Sequence, residues 1–159
     1  MKRMIAAMPL IAILAACGQA DGELTPGNWK STMAMTKFDI PGAPPEVAAR
    51  TNAMLGQSQT TEACMDAVQA KLGVREMSSS MQQGECTMED FKQGGGTMSG
   101  TMVCKGASGF GAPKMEMNGT YSADKVTMTL AGLVTDDKLP GGKASMEMTV
   151  TSERTGDCR

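Results

Sequence analysis

The segment Cys86-Thr-Met-Glu-Asp-Phe-Lys-Gln-Gly-Gly-Gly-Thr-Met-Ser-Gly-Thr-Met-Val-Cys104 reads as a β-hairpin folded about its three successive glycines. Centring the fold on Gly95 sets Cys86 opposite Cys104, each nine positions away. Met88 then faces Met102 on the side of the cysteines, and Thr87, Glu89, Thr101 and Val103 take the other, because side chains alternate along a strand. One face of the hairpin is apolar and rich in sulfur; the other is mostly polar.

The same alternation continues outward from this hairpin. Lys114 to Tyr121 and Lys125 to Leu133 form a second hairpin turning at Ala123-Asp124, with Met115, Met117, Gly119 and Tyr121 on the side of Val126, Met128 and Leu130. Ala144 to Ser152 is a last strand, carrying Met146, Met148 and Val150 on one face. Upstream, Asn28 to Ile40 is a half-buried strand with Trp29 as its apolar anchor beside Met33 and Met35, and residues 57 to 64 are extended. Two short helices fit between these strands. Glu46 to Leu55 is entered through Pro44-Pro45 and closed by Gly56; in the second, Met65, Val68 and Leu72 form the apolar stripe and Gly73 ends the helix. Ser78-Ser79-Ser80 and the glycine-rich Lys105 to Pro113 read as loops, the latter without phosphate-cradling spacing.

A chain of 159 residues, 41% hydrophobic and 20% charged, has the composition of one globular domain. Aromatics make up only 3%, so methionine, 17 in the whole chain, must fill much of the core. The expected fold is α+β: a curved, open barrel-like antiparallel sheet of about six or seven strands, two short helices against its apolar face, and two disulfides.

The N-terminus carries an address. Lys2 and Arg3 precede an apolar run, Met4 to Leu14, too short to span a bilayer, and small residues follow, as in a secretory signal. The run ends in Leu14-Ala15-Ala16-Cys17, which resembles the lipobox of bacterial lipoproteins. The resemblance implies cleavage of residues 1–16, acylation of Cys17, and anchoring in the outer membrane facing the periplasm, since Gly18 stands where an inner-membrane retention signal would have aspartate. Residues 17–25 then read as a polar tether, and 26–159 as the domain. Export leaves Cys64, Cys86, Cys104 and Cys158 in an oxidising compartment. The hairpin register pairs Cys86 with Cys104, and Cys64 with Cys158 follows by elimination.

Pro26-Gly27-x-Trp29, the cysteines at 64, 86, 104 and 158, Gly119-x-Tyr121 and the terminal Gly156-x-Cys158 together resemble the proteobacterial family called domain of unknown function 3617. That resemblance implies a small exported or lipid-anchored envelope protein with paired cysteines and no assigned reaction or ligand.

Chemistry for catalysis is sparse. There is no histidine, which removes Ser-His-Asp, Cys-His and most catalytic zinc arrangements, and bridged or acylated cysteines are not nucleophiles. Asp136-Asp137 are neighbours in a polar connection, not acids converging in a pocket. The net charge of −2, without a basic run, gives no reason to expect nucleic acid. The expectation is a non-enzymatic binding or interaction module without cofactor, held to the membrane through Cys17, its partner an apolar ligand in a methionine-lined cup or an envelope protein. The alternative is Cu(I) at Met33-x-Met35, Met115-x-Met117 and Met146-x-Met148, because thioethers two residues apart in a strand share a face and suit soft copper. The same spacing arises when methionine fills an inward strand face.

Overall fold

The computed structural model describes residues 21–80, 86–104 and 114–158. The signal at 1–16, the acylation site Cys17, the start of the tether at 18–20 and the glycine-rich loop through Pro113 lie outside the described residues, apart from the strand end at Cys104.

Seven strands and two helices follow in the order β1 (Gly27–Asp39), α1 (Pro45–Met54), β2 (Ser58–Met65), α2 (Ala67–Ser80), β3 (Cys86–Gly94), β4 (Thr97–Cys104), β5 (Lys114–Ser122), β6 (Lys125–Thr135) and β7 (Lys143–Gly156). They form one open antiparallel sheet in the order β2-β1-β7-β6-β5-β4-β3. The last five strands are a meander, each paired with the next in sequence. β1 closes on the free side of β7, so the first and last strands of the domain pair over almost their whole length, Asn28 with Gly156 to Asp39 with Ser145. Both disulfides are formed as the hairpin register and elimination require, Cys86–Cys104 and Cys64–Cys158.

One face of the sheet is the core. Met98, Met102, Met115, Met117, Val126, Met128, Leu130, Met146, Met148 and Val150 point to it with Trp29, and all are buried. The opposite face is hydroxyl-rich: Thr60, Thr32, Thr151, Thr127, Thr120 and Thr97 stand in one register row across six strands. Methionine packs this inner face because its unbranched, polarisable side chain fills the irregular gaps of a twisted sheet without aromatic rings.

Three expectations need correction. The first hairpin turns on two residues, Gly95 and Gly96, both at positive φ, not on Gly95 alone. A two-residue turn pairs Gly94 with Thr97 and would slide the cysteines out of line; a bulge between Glu89 and Lys92, with Asp90 at φ 51, takes up the extra residue and restores Cys86 opposite Cys104.

The second helix also differs. Met65 belongs to β2, and Gly73 breaks α2 without ending it: the residue sits at φ 66, and helix resumes through Ser80, where a loop was expected. Val68 and Leu72 are 71% and 56% exposed, while Ala70 and Val74 are buried. Helical spacing says which residues share a side but not which side meets the core. Small residues win here because the chain at 22–24 lies directly against α2, and a Cβ on Gly73 would overlap the Gly22 carbonyl.

The tether is the third correction. Residues 21–25 are part of the folded body: Leu24 is 2% exposed, its N–H donates to the Ala70 carbonyl at 2.9 Å, and Thr25 N–H donates to the Ala123 carbonyl at 2.7 Å.

Candidate functional site

Trp29 opens β1 with its indole facing inward, held by an Nε1–H bond of 3.0 Å to the Thr25 carbonyl. Two residues on, Ser31 Oγ shares a hydrogen bond of 2.8 Å with Ser152 Oγ, so this polar pair is satisfied beneath the apolar surface. Across β1, Ala63 pairs with Trp29 and Thr61 with Ser31, which puts small side chains of β2 on the same face. The break at Gly73 lays α2 alongside, leaving a cleft of about 220 Å³ lined by Trp29, Ala63, Met65, Gly73 and Met77 among others. Drug-sized ligands occupy roughly 300–1,000 Å³, so this volume suits one or two side chains instead. A larger hollow of about 600 Å³ lies at the far end of the sheet, but Lys37, Lys114, Glu116 and Glu147 wall it with charge.

The cleft adjoins an edge. β2 is the outermost strand on its side, Ser58 to Cys64 are all exposed, and it pairs with β1 from Ala34–Ser58 to Gly27–Met65 without a register shift. Its only charge is Glu62, and it contains no proline.

The candidate metal residues are gathered on the inner face but packed. Met35 lies opposite Met148, and Met33 opposite Val150. Met117 is two strands from Met148, with Leu130 between, and Met115 two strands from Met146, with Gly132 between. Two strand spacings are about 10 Å, beyond the reach of one copper coordination sphere at the backbone level. Met115, Met117, Met146 and Met148 are at most 5% exposed, and Met33 and Met35 are half-buried against the same cluster. The described residues contain no group of three or more His, Cys, Asp or Glu placed to hold a metal, and no helix among them is long and apolar enough to cross a membrane. Asp136 Oδ1 accepts the Lys138 N–H at 2.8 Å, which makes this aspartate a turn residue.

Asp21 was not singled out by the sequence, yet it joins three parts of the fold. Its carboxylate accepts the Tyr121 O–H at 2.6 Å and the Gly95 N–H at 3.1 Å, and its carbonyl accepts Gln93 Nε2 at 3.3 Å. Burial and this carboxylate push the Tyr121 phenol above its ordinary pKa. Lys125 holds the Glu153 carboxyl below its ordinary value through an exposed ion pair of 2.6 Å. The faint sequence signal for the latch was Leu24, a lone apolar residue between an acidic stretch and Pro26-Gly27.

A family model described as a protein of unknown function, DUF3617, matches residues 24–158, from the buried Leu24 to the bridged Cys158. The chain belongs to the DUF3617 family. No curated protein and no solved structure matches it. For this DUF3617 chain, the match covers the whole sheet, both helices and all four bridged cysteines.

Proposed function

We propose that this DUF3617 protein is a non-enzymatic interaction module of the cell envelope, anchored through acylated Cys17 to the outer membrane and facing the periplasm. Its site is the β2 edge, which receives an extended segment of an envelope protein by strand addition. The observation that carries this reading is β2, outermost among the described strands, exposed from Ser58 to Cys64 and without a bulge, beside a cleft sized for one or two side chains. Backbone hydrogen bonds of an added strand supply affinity, and a pocket for alternate side chains supplies selectivity. The sequence supports the non-enzymatic part: it has no histidine, and its domain cysteines are spent in bridges.

A photo-reactive amino acid at Thr61, on the cleft side of β2, tests the site in living cells. The expected result is one discrete adduct, mapped by tandem mass spectrometry to an extended segment of a single envelope protein. Equal labelling from Thr120 on the hydroxyl-rich face, or none from either position, would overturn it. Mass spectrometry of membrane-extracted protein tests the anchor, with a triacylated Cys17 expected and a chain beginning at Asp21 as the contrary result.

A second reading, Cu(I) bound by thioethers, is favoured by one pair: Met35 directly opposite Met148, where Cβ atoms of cross-strand neighbours lie about 5 Å apart. Titration against a competing Cu(I) chelator decides it. Binding that outcompetes the chelator and is lost in Met35→Leu but kept in Met115→Leu/Met117→Leu supports a site at this pair.

A further inference from the structure

The route from the anchor to the domain is short, and it is fastened. Leu24 and Thr25 are bonded to Ala70 and Ala123, Gly22 accepts the Val74 N–H at 3.1 Å, and the Pro26 carbonyl accepts Arg154 Nε at 2.7 Å. With Asp21 latched to Tyr121, Gly95 and Gln93, the chain is held from its first described residue onward to α2, two turns of the sheet and β7. Only residues 18–20 separate Asp21 from Cys17, a fully extended reach of at most about 14 Å. Strand β6, with 11 residues, is about 37 Å long. The end of the domain that holds Asp21 is therefore the part kept within reach of the leaflet carrying the acyl chains.

That end carries an exposed apolar surface on the helix that the fastened segment touches. Val68 and Leu72, four residues apart in the first piece of α2, are 71% and 56% exposed, and Lys71 is exposed on the same side. Apolar side chains flanked by a long cation are the pattern of a helix lying in a lipid interface, where the apolar groups enter the headgroup boundary and the ammonium reaches phosphate. Arg75, just beyond the Gly73 break, stacks 5.5 Å from the Phe91 ring centroid and braces the second piece of α2 against β3.

We propose that the outer side of α2 is a bilayer-docking surface: Val68 and Leu72 rest in the headgroup region of the leaflet that holds Cys17, leaving the far end of the sheet in the periplasm. This rests on the anchored reading above, since the three-residue link is what selects the bilayer as the occupant. The domain is then held at a fixed attitude to the membrane and does not swing on a flexible arm.

Trp29 is the chain's only tryptophan and is buried, so an added exposed tryptophan reports its own surroundings. Full-length acylated Leu72→Trp is reconstituted in phosphatidylethanolamine and phosphatidylglycerol vesicles doped with acyl-brominated phosphatidylcholine. The control is Leu133→Trp, an exposed site (52%) toward the far end of β6. After subtraction of the Trp29 signal, emission of Leu72→Trp should fall about twofold or more, with Leu133→Trp unchanged. Triacylated Cys17 with Leu72→Trp unquenched, or with both sites quenched equally, overturns the docking surface and leaves the anchor standing. An unacylated Cys17 overturns both.

Discussion

The two edges of the sheet are finished in opposite ways. β3 carries Glu89, Asp90 and Lys92, a bulge that kinks its ladder, and a buried bridge to β4. The charges and the bulge are devices by which proteins discourage a neighbour from adding a strand. β2 has one charge, a regular ladder and an exposed Cys64 bridged to the C-terminus, with a cleft behind it. The difference teaches that the two edges of one sheet can be finished independently: β3 combines clustered charge with a bulge, and β2 has neither.

Breaking the bridge at each edge gives the largest expected effects. Cys64→Ala/Cys158→Ala opens a loop of 94 residues and Cys86→Ala/Cys104→Ala one of 18, for which loop closure in the unfolded chain gives about 4–5 and about 3 kcal/mol. Urea unfolding should place the β2 variant lower. If the β3 variant is the less stable of the two, packing around the buried cysteines outweighs loop length. Next comes Gly73→Ala, which sharpens the account of the β2 side. A positive φ together with overlap on the Gly22 carbonyl should destabilise by about 2–3 kcal/mol, measured by the same titration.

A smaller effect belongs to the latch beside the β3–β4 turn. The Tyr121 phenol is raised in the folded state, so its contribution is fully present below the unfolded tyrosine pKa, about 10, and is lost as pH rises through the higher folded value. Ionisation removes the O–H donor and sets a phenolate against the Asp21 carboxylate. Tyr121→Phe should therefore cost about 1 kcal/mol at pH 7 and erase the difference from the unsubstituted protein well above pH 10. Smallest is Asp90→Gly at the β3 bulge, expected to stabilise by about 0.5–1 kcal/mol by relieving a left-handed backbone while keeping Cys86 opposite Cys104. A Cys86–Cys104 bridge that fails to form in this variant would show that the aspartate side chain, and not backbone geometry, sets the bulge.

Much of the sheet was legible because alternation with period two is a local property. Met115 with Leu130 on one face, the turn at Ala123-Asp124 and the Cys86–Cys104 pair could be read from residues close in register, and Cys64–Cys158 followed by elimination. The cleft was not legible. It needs α2 to turn Val68 and Leu72 outward and Ala70 inward, and that orientation is set by the segment at 22–24, whose bonds to α2 span 46 residues (Leu24 to Ala70) and 52 residues (Gly22 to Val74). Likewise Asp21 gave no sign of its latch, because its partners Gly95 and Tyr121 lie 74 and 100 residues away.

The amino-acid sequence by itself determined which residues of each strand share a face, that thioethers would replace aromatic rings inside, and which sulfurs would join. Those outcomes follow from the two-residue pleat and from composition. Only the tertiary structure decided that β1 closes on β7, that one edge is guarded and the other open, and that the apparent tether is folded against α2. Each of these is a choice among surfaces of similar local propensity, settled by long-range packing and backbone hydrogen bonds that no short window of sequence contains.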